Sequence, residues 1–94
     1  MSNRTNFYIN GEWVAPSTSE TIDVINPATE QSIGQVAMGG AADVDKAVAA
    51  AKAAFETFSQ TTREERISLL EAIIAKYSER MGDVAAAISE EMGA

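Results

Sequence analysis

The chain has 94 residues, 14 acidic and 7 basic, with a formal net charge of -7 and 46% apolar content. That length admits one small domain at most, and the apolar share suits a folded chain better than a disordered one, although alanine makes up much of it and buries little area. The acidic balance and basic residues scattered from Arg4 to Arg80 with no cluster argue against nucleic acid or an anionic membrane surface as partner; no cysteine is present, so disulfides and thiolate chemistry are excluded.

The first residues, Met1 to Phe7, are polar and lack the apolar run of a signal peptide. Asn3-Arg4-Thr5 matches a glycosylation pattern, but nothing directs the chain to a glycosylating compartment, and a cytoplasmic setting is expected. Phe7 to Ala15 reads as a β-hairpin, because Asn10-Gly11 suits a type I′ turn with positive φ at both positions. That register sets Tyr8 opposite Trp13 and Phe7 opposite Val14. Pro16 to Glu20 is a polar loop and Thr21 to Ile25 a short strand. Asn26-Pro27-Ala28-Thr29 is a turn, and Ser32 to Met38 a further strand with Gly34 as a bulge or close approach.

After Gly39-Gly40 the apolar period lengthens toward 3.6. Val44, Ala47, Val48, Ala51, Phe55 and Phe58 mark a helix with Asp43 and Asp45 in its first turn. Ser59 to Thr61 is a break. Thr62 with Glu65 fits a capping box at the head of a second helix, whose stripe is Ile67, Leu70, Ile73, Ile74, Tyr77 and Met81. Gly82 is expected to interrupt that helix, and Asp83 to begin a third carrying Val84, Ala85, Ile88 and Met92. The helices can cover one another in part, and the expected fold is α+β: short N-terminal strands, then three amphipathic helices. Two hairpin-like pairs make a poor sheet alone, which with the apolar stripes hints at a larger whole, with a complete small α+β domain as the alternative expectation.

Catalytic constellations are hard to build here. With neither cysteine nor histidine, a Cys-His pair, a Ser-His-Asp triad and a zinc site of the usual kind are all ruled out for this span. Lys46, Lys52 and Lys76 fall on polar helix sides. The adjacent pairs Glu64-Glu65 and Glu90-Glu91 diverge by about 100° around a helix and do not converge on an ion. Glu12 faces Ile9 at the hairpin edge. Gly34 to Gly40 lacks the lysine and hydroxyl of a P-loop, so Gly39-Gly40 reads as a strand-to-helix turn.

Several motifs in order carry a resemblance. Tyr8-Ile9-Asn10-Gly11-Glu12-Trp13-Val14 resembles the F-I-N-G-E-W opening of the NAD(P)-dependent aldehyde dehydrogenase superfamily. Val24-Ile25-Asn26-Pro27-Ala28-Thr29 resembles its V-x-N-P-A-T-G strand-turn, and Asp43 to Ala51 its E-D-V-D-x-A-V-x-A-A helix. Arg66, Leu69, Leu70 and Ile74 fit its R-x-x-L-L-x-x-x-A-x-x-I helix, with Ile73 in place of the common alanine. Glu30 and Ala94 depart from it, standing where the family usually has glycine and lysine.

The resemblance implies that residues 1–94 are the N-terminal segment of a cofactor-binding domain, strands and turns over 1–39 and helices over 40–94, within an α/β Rossmann-like parent. The catalytic domain, with its cysteine, glutamate and oxyanion asparagine, would lie downstream, leaving this span as scaffold. The parent would oxidise an aldehyde to a carboxylic acid with NAD or NADP, and as a homo-oligomer; this segment alone would bind no cofactor, its partner being the remainder of the chain. Some members hold a monovalent cation with main-chain carbonyls before the N-P turn, which places that role on Val24 and Ile25. A stand-alone interaction module pairing through its helices is the alternative expectation.

Overall fold

The computed structural model describes residues 4–94. Asn10 and Gly11 take φ of 55° and 77°, the pair of positive values that a type I′ turn demands. They join strand β1 (Phe7–Ile9) to β2 (Glu12–Val14). The register is as the sequence reading has it: Phe7 opposes Val14, Tyr8 opposes Trp13 and Ile9 opposes Glu12. The Tyr8 and Trp13 rings meet edge to face, centroids 5.1 Å apart at 78°, a favoured geometry for aromatic pairs.

A second antiparallel pair follows, β3 (Thr21–Asn26) and β4 (Gln31–Ala37). Asn26 closes the connecting turn twice over. Its Oδ1 accepts the Ala28 N–H at 2.9 Å, and its carbonyl accepts the Glu30 N–H at 2.8 Å. Glu30 pays with a φ of 60°. The ladder slips at mid-strand: Val24 opposes Gly34 whereas Ile25 opposes Ser32. One residue of β4, Ile33, is therefore extra, which is a β-bulge beside Gly34. The far side of β4 receives the Arg4 backbone, which donates to the Gln35 carbonyl at 2.7 Å and accepts from the Ala37 N–H at 2.9 Å.

Helix α1 (Ala41–Phe58) begins at Gly40, and α2 (Arg63–Glu79) begins at Thr62, whose hydroxyl accepts the Glu65 N–H at 3.1 Å. Arg66 seals the α1–α2 corner. Its Nε donates to Thr61 Oγ1 at 2.8 Å, and its guanidinium lies 5.4 Å from the centre of the Phe58 ring. The next boundary differs from expectation. The break falls on Arg80 (φ -112°, ψ 14°), and α3 runs from Met81 to Met92 with Gly82 inside its first turn. An early helical glycine costs little, because the first amide groups have no intrahelical partner to lose. Gly93 ends α3 in the left-handed region at φ 73°, the usual glycine stop. It rests against the β3–β4 turn, where an added Cβ would lie 2.7 Å from the Ala28 nitrogen.

The helices do not cover one another as expected. Beyond the strand pairs, the main approaches are α1 to β1, α3 to β3 and α2 to α3. The radius of gyration is 16.9 Å, with extents of 48 × 34 × 16 Å; a compact chain of this length has about 12 Å. Among the described residues no hydrophobic side chain is buried. Trp13 is 71% exposed and Phe55 67%, so the apolar stripes lie open along the slab.

Candidate functional site

The buried polar residue is Asp43, at 6% exposure. It sits at the third position of α1, where its Oδ2 accepts the Gly40 N–H at 2.9 Å. The same carboxylate takes the Ser17 N–H at 2.9 Å and the Ser17 hydroxyl at 2.8 Å. Thr18 adds a bond from its hydroxyl to the Met38 carbonyl at 2.9 Å. Loop 15–20 is thereby tied over the helix start. These donors stabilise the anion: the Gly40 N–H first and the Ser17 hydroxyl next hold the Asp43 carboxyl below its ordinary 3.8. The knot also bears on Gly39-Gly40. The Gly40 N–H, an amide that could meet a phosphate, here holds the Asp43 carboxylate. No spacing rule links Ser17 to Asp43, and the sequence reading gave the acid only a dipole role.

Val24 and Ile25, the candidate cation ligands, flank the register slip in β3; Val24 is half-buried and Ile25 is 48% exposed. At a bulge the regular carbonyl pairing is interrupted, and main-chain carbonyls are hard oxygen donors suited to hard cations. No group of three or more Asp or Glu side chains converges among the described residues. Lys46 and Lys52 are exposed on α1 and Glu12 on β2. Asn3, of the glycosylation pattern, lies outside the described residues.

One reading of the basic residues needs correction. Along the sequence they are scattered, but folding gathers Arg4, Lys76 and Arg80 around one groove of about 630 Å³. Its bed is apolar, formed by Ile73 and Tyr77 of α2 and by the half-buried Val84 of α3. Asp83 also lines it and pairs with Arg80 at 3.4 Å, while Lys76 pairs with Glu79 at 3.6 Å. The four-residue spacing of Lys76 and Arg80 was a legible signal. Arg4 reaches them only through its bridge to β4.

Comparison with known proteins supplies what this geometry leaves open. The family model described as "Aldehyde dehydrogenase family" matches residues 13–94. A relative from Staphylococcus aureus (strain bovine RF122 / ET3-1), named for the same activity, is 52% identical over 94 residues, all of this chain and 20% of its own length. The chain thus spans 20% of that curated relative. A crystal structure of aldehyde dehydrogenase from Bartonella henselae superposes with a TM-score of 0.93 at 41% identity, covering 100% of this chain and 20% of its own. A mutant aldehyde dehydrogenase C from Pseudomonas syringae, complexed with NAD+ and octanal, gives 0.93 at 49% identity, covering 98% of this chain and 19% of its own. The Mycobacterium tuberculosis enzyme complexed with NAD+ gives 0.88 at 37%, covering 95% and 19%. In these comparisons the strands and three helices correspond to the N-terminal portion of the larger fold.

Proposed function

The chain belongs to the aldehyde dehydrogenase family, and from that premise we propose that it is the N-terminal scaffold of an enzyme oxidising an aldehyde to a carboxylic acid with NAD or NADP. The observation that carries this reading is the open apolar surface. Eighteen large hydrophobic residues are exposed and none is buried among the described residues, which a chain standing alone in water does not support. The remainder of an aldehyde dehydrogenase chain is the partner that would cover them. We assign residues 1–94 to the cofactor-binding domain of a cytoplasmic homo-oligomer. No described helix is long and apolar enough to cross a membrane.

A nicotinamide held by the remainder of the parent chain would supply the hydride acceptor for the oxidation. At the start of α1 the Gly40 N–H is taken by the Asp43 carboxylate. The part of this span is to hold shape. The Asp43 knot orients α1, Gly93 docks α3 on the turn, and Arg66 fixes the corner of α1 and α2. The carbonyls of Val24 and Ile25 fit a monovalent cation, which would brace β3 just before the Asn26-Pro27 turn.

The test is the intact mass of the native polypeptide, followed by an assay for aldehyde-dependent NAD(P)H formation. A mass of several hundred residues with turnover is the expected result. A mass near 10.0 kDa with no turnover would overturn the reading in favour of a self-contained interaction module.

A further inference from the structure

We propose that Asn10 is a site of spontaneous covalent modification, losing its side-chain amide by ring closure onto the Gly11 nitrogen and leaving aspartate or isoaspartate at position 10. The turn itself selects the labile pair. A type I′ turn needs positive φ at two successive positions, which favours Asn followed by Gly, and here they stand at 55° and 77°. Asparagine is also a thermally labile side chain, and a following glycine lacks the Cβ that would shield the attacking nitrogen.

The step needs only water as co-reactant. The Gly11 main-chain nitrogen bonds to Asn10 Cγ, the Cγ–Nδ2 bond breaks, and the proton of that nitrogen leaves with the amide as ammonia. Water then opens the cyclic imide at either carbonyl. One opening restores the normal backbone with an aspartate. The other routes the chain through the side-chain carbons as isoaspartate.

The structure favours Asn10 over the other described asparagines. Asn10 and Gly11 are exposed, and a Cβ added at Gly11 would meet nothing within 4 Å. The turn is polar, apart from the apolar stripes assigned to cover by the remainder of the chain. The strand pairing closes on Ile9 and Glu12, the flanking pair in a two-residue hairpin, so the Gly11 N–H stands outside the ladder. Asn26 precedes Pro27, whose nitrogen has no proton to lose, and its Oδ1 is held by the Ala28 N–H at 2.9 Å. Asn6 precedes the bulky Phe7. Left-handed backbone is not aligned for ring closure, so the turn must open first. With strands of 3 residues each, the hairpin opens at low cost.

Modification would undo the hairpin. The new carboxylate lies two positions from Glu12 in a chain already at -7. Isoaspartate also lengthens the backbone of a turn built for two residues. Ile9 and Asn10 face Ala50 and Ala54 of α1 across a shallow cleft, so loss of register loosens β1 from α1. None of this depends on the proposed oxidation.

The test incubates the whole polypeptide that carries this segment in warm, mildly alkaline buffer and follows it by peptide mapping with mass spectrometry. Asn10 should convert from amide to acid ahead of Asn6 and Asn26, with isoaspartate in the product. Exchange of β1 and β2 amides in the aged protein should rise about fivefold, the factor for one lost main-chain hydrogen bond. Asn10→Gly, which keeps a pair suited to the type I′ turn, should abolish both the mass change and the faster exchange. An intact Asn10 after Asn6 has converted, as when the rest of the polypeptide encloses the turn, would overturn the proposal. So would conversion without isoaspartate, which would mean direct hydrolysis, or equal ageing of the hairpin in Asn10→Gly.

Discussion

Ser17 and Asp43, 26 residues apart, are joined through both the main-chain N–H and the hydroxyl of Ser17, at 2.9 and 2.8 Å. The carboxylate also takes the Gly40 N–H at 2.9 Å, so one side chain closes a helix start and anchors a loop. Removing it strands three donors at once, and a donor left without its partner costs more than the bond was worth.

Asp43→Asn should therefore free loop 15–20, seen as faster amide hydrogen exchange there in the whole polypeptide, with Ser17→Ala a milder version. The pH dependence has a definite sign. The folded carboxyl lies below its ordinary value of 3.8, so its stabilising contribution is present above about that pH. It is lost as pH falls through the lower folded value. Protection of loop 15–20 should fall on acidification below pH 4 in the wild type, and Asp43→Asn should flatten that dependence. An unchanged acid profile in the variant would show that another group governs the loop.

Glu30 stands at φ 60°, where a residue with a Cβ pays roughly 1–2 kcal/mol. Glycine removes that strain and returns part of the gain as unfolded-chain entropy. Glu30→Gly should stabilise the β3–β4 turn by about 0.5–1 kcal/mol, read as two- to fivefold slower exchange of β3 and β4 amides. Equal or faster exchange would mean the turn holds Glu30 without strain.

Gly93 and Gly11 share a left-handed backbone but differ in surroundings. A Cβ on Gly93 meets the Ala28 nitrogen at 2.7 Å, whereas one on Gly11 meets nothing within 4 Å. Gly11→Ala should cost only the backbone term, roughly 1–2 kcal/mol. Gly93→Ala adds a main-chain clash and should detach the end of α3 from Pro27-Ala28, with proteolysis near Met92 rising well above that near Gly11. Equal effects would show that the end of α3 is not docked.

Cation binding at Val24 and Ile25 predicts a specific salt effect. Sodium or potassium chloride should raise the melting temperature of the whole polypeptide above choline chloride at equal ionic strength, because an ion bound only by the folded state stabilises it by mass action. Slower exchange confined to residues 22–35 would place the effect at the bulge. Identical melting in all three salts would remove this role from the two carbonyls.

Local chemistry made much of the fold legible. Asn10-Gly11 specifies the hairpin and its register because few residues tolerate positive φ twice in succession. Thr62 marks the head of α2 because its hydroxyl can serve an orphan amide. Gly82 misled, since the break is made by the backbone of Arg80, a residue with no conformational signature. Glu30 was visible as a departure from the family pattern, but its left-handed backbone was not.

Periodicity, turn chemistry and composition thus determined the element order and the absence of a catalytic cysteine or histidine, because those depend on neighbours within a few residues. Only the tertiary structure decided that Ser17 meets Asp43, that Arg4 joins Lys76 and Arg80, and that the apolar stripes face outward. Proximity between residues 26 or 72 positions apart depends on how whole elements pack, and local pattern does not encode that path.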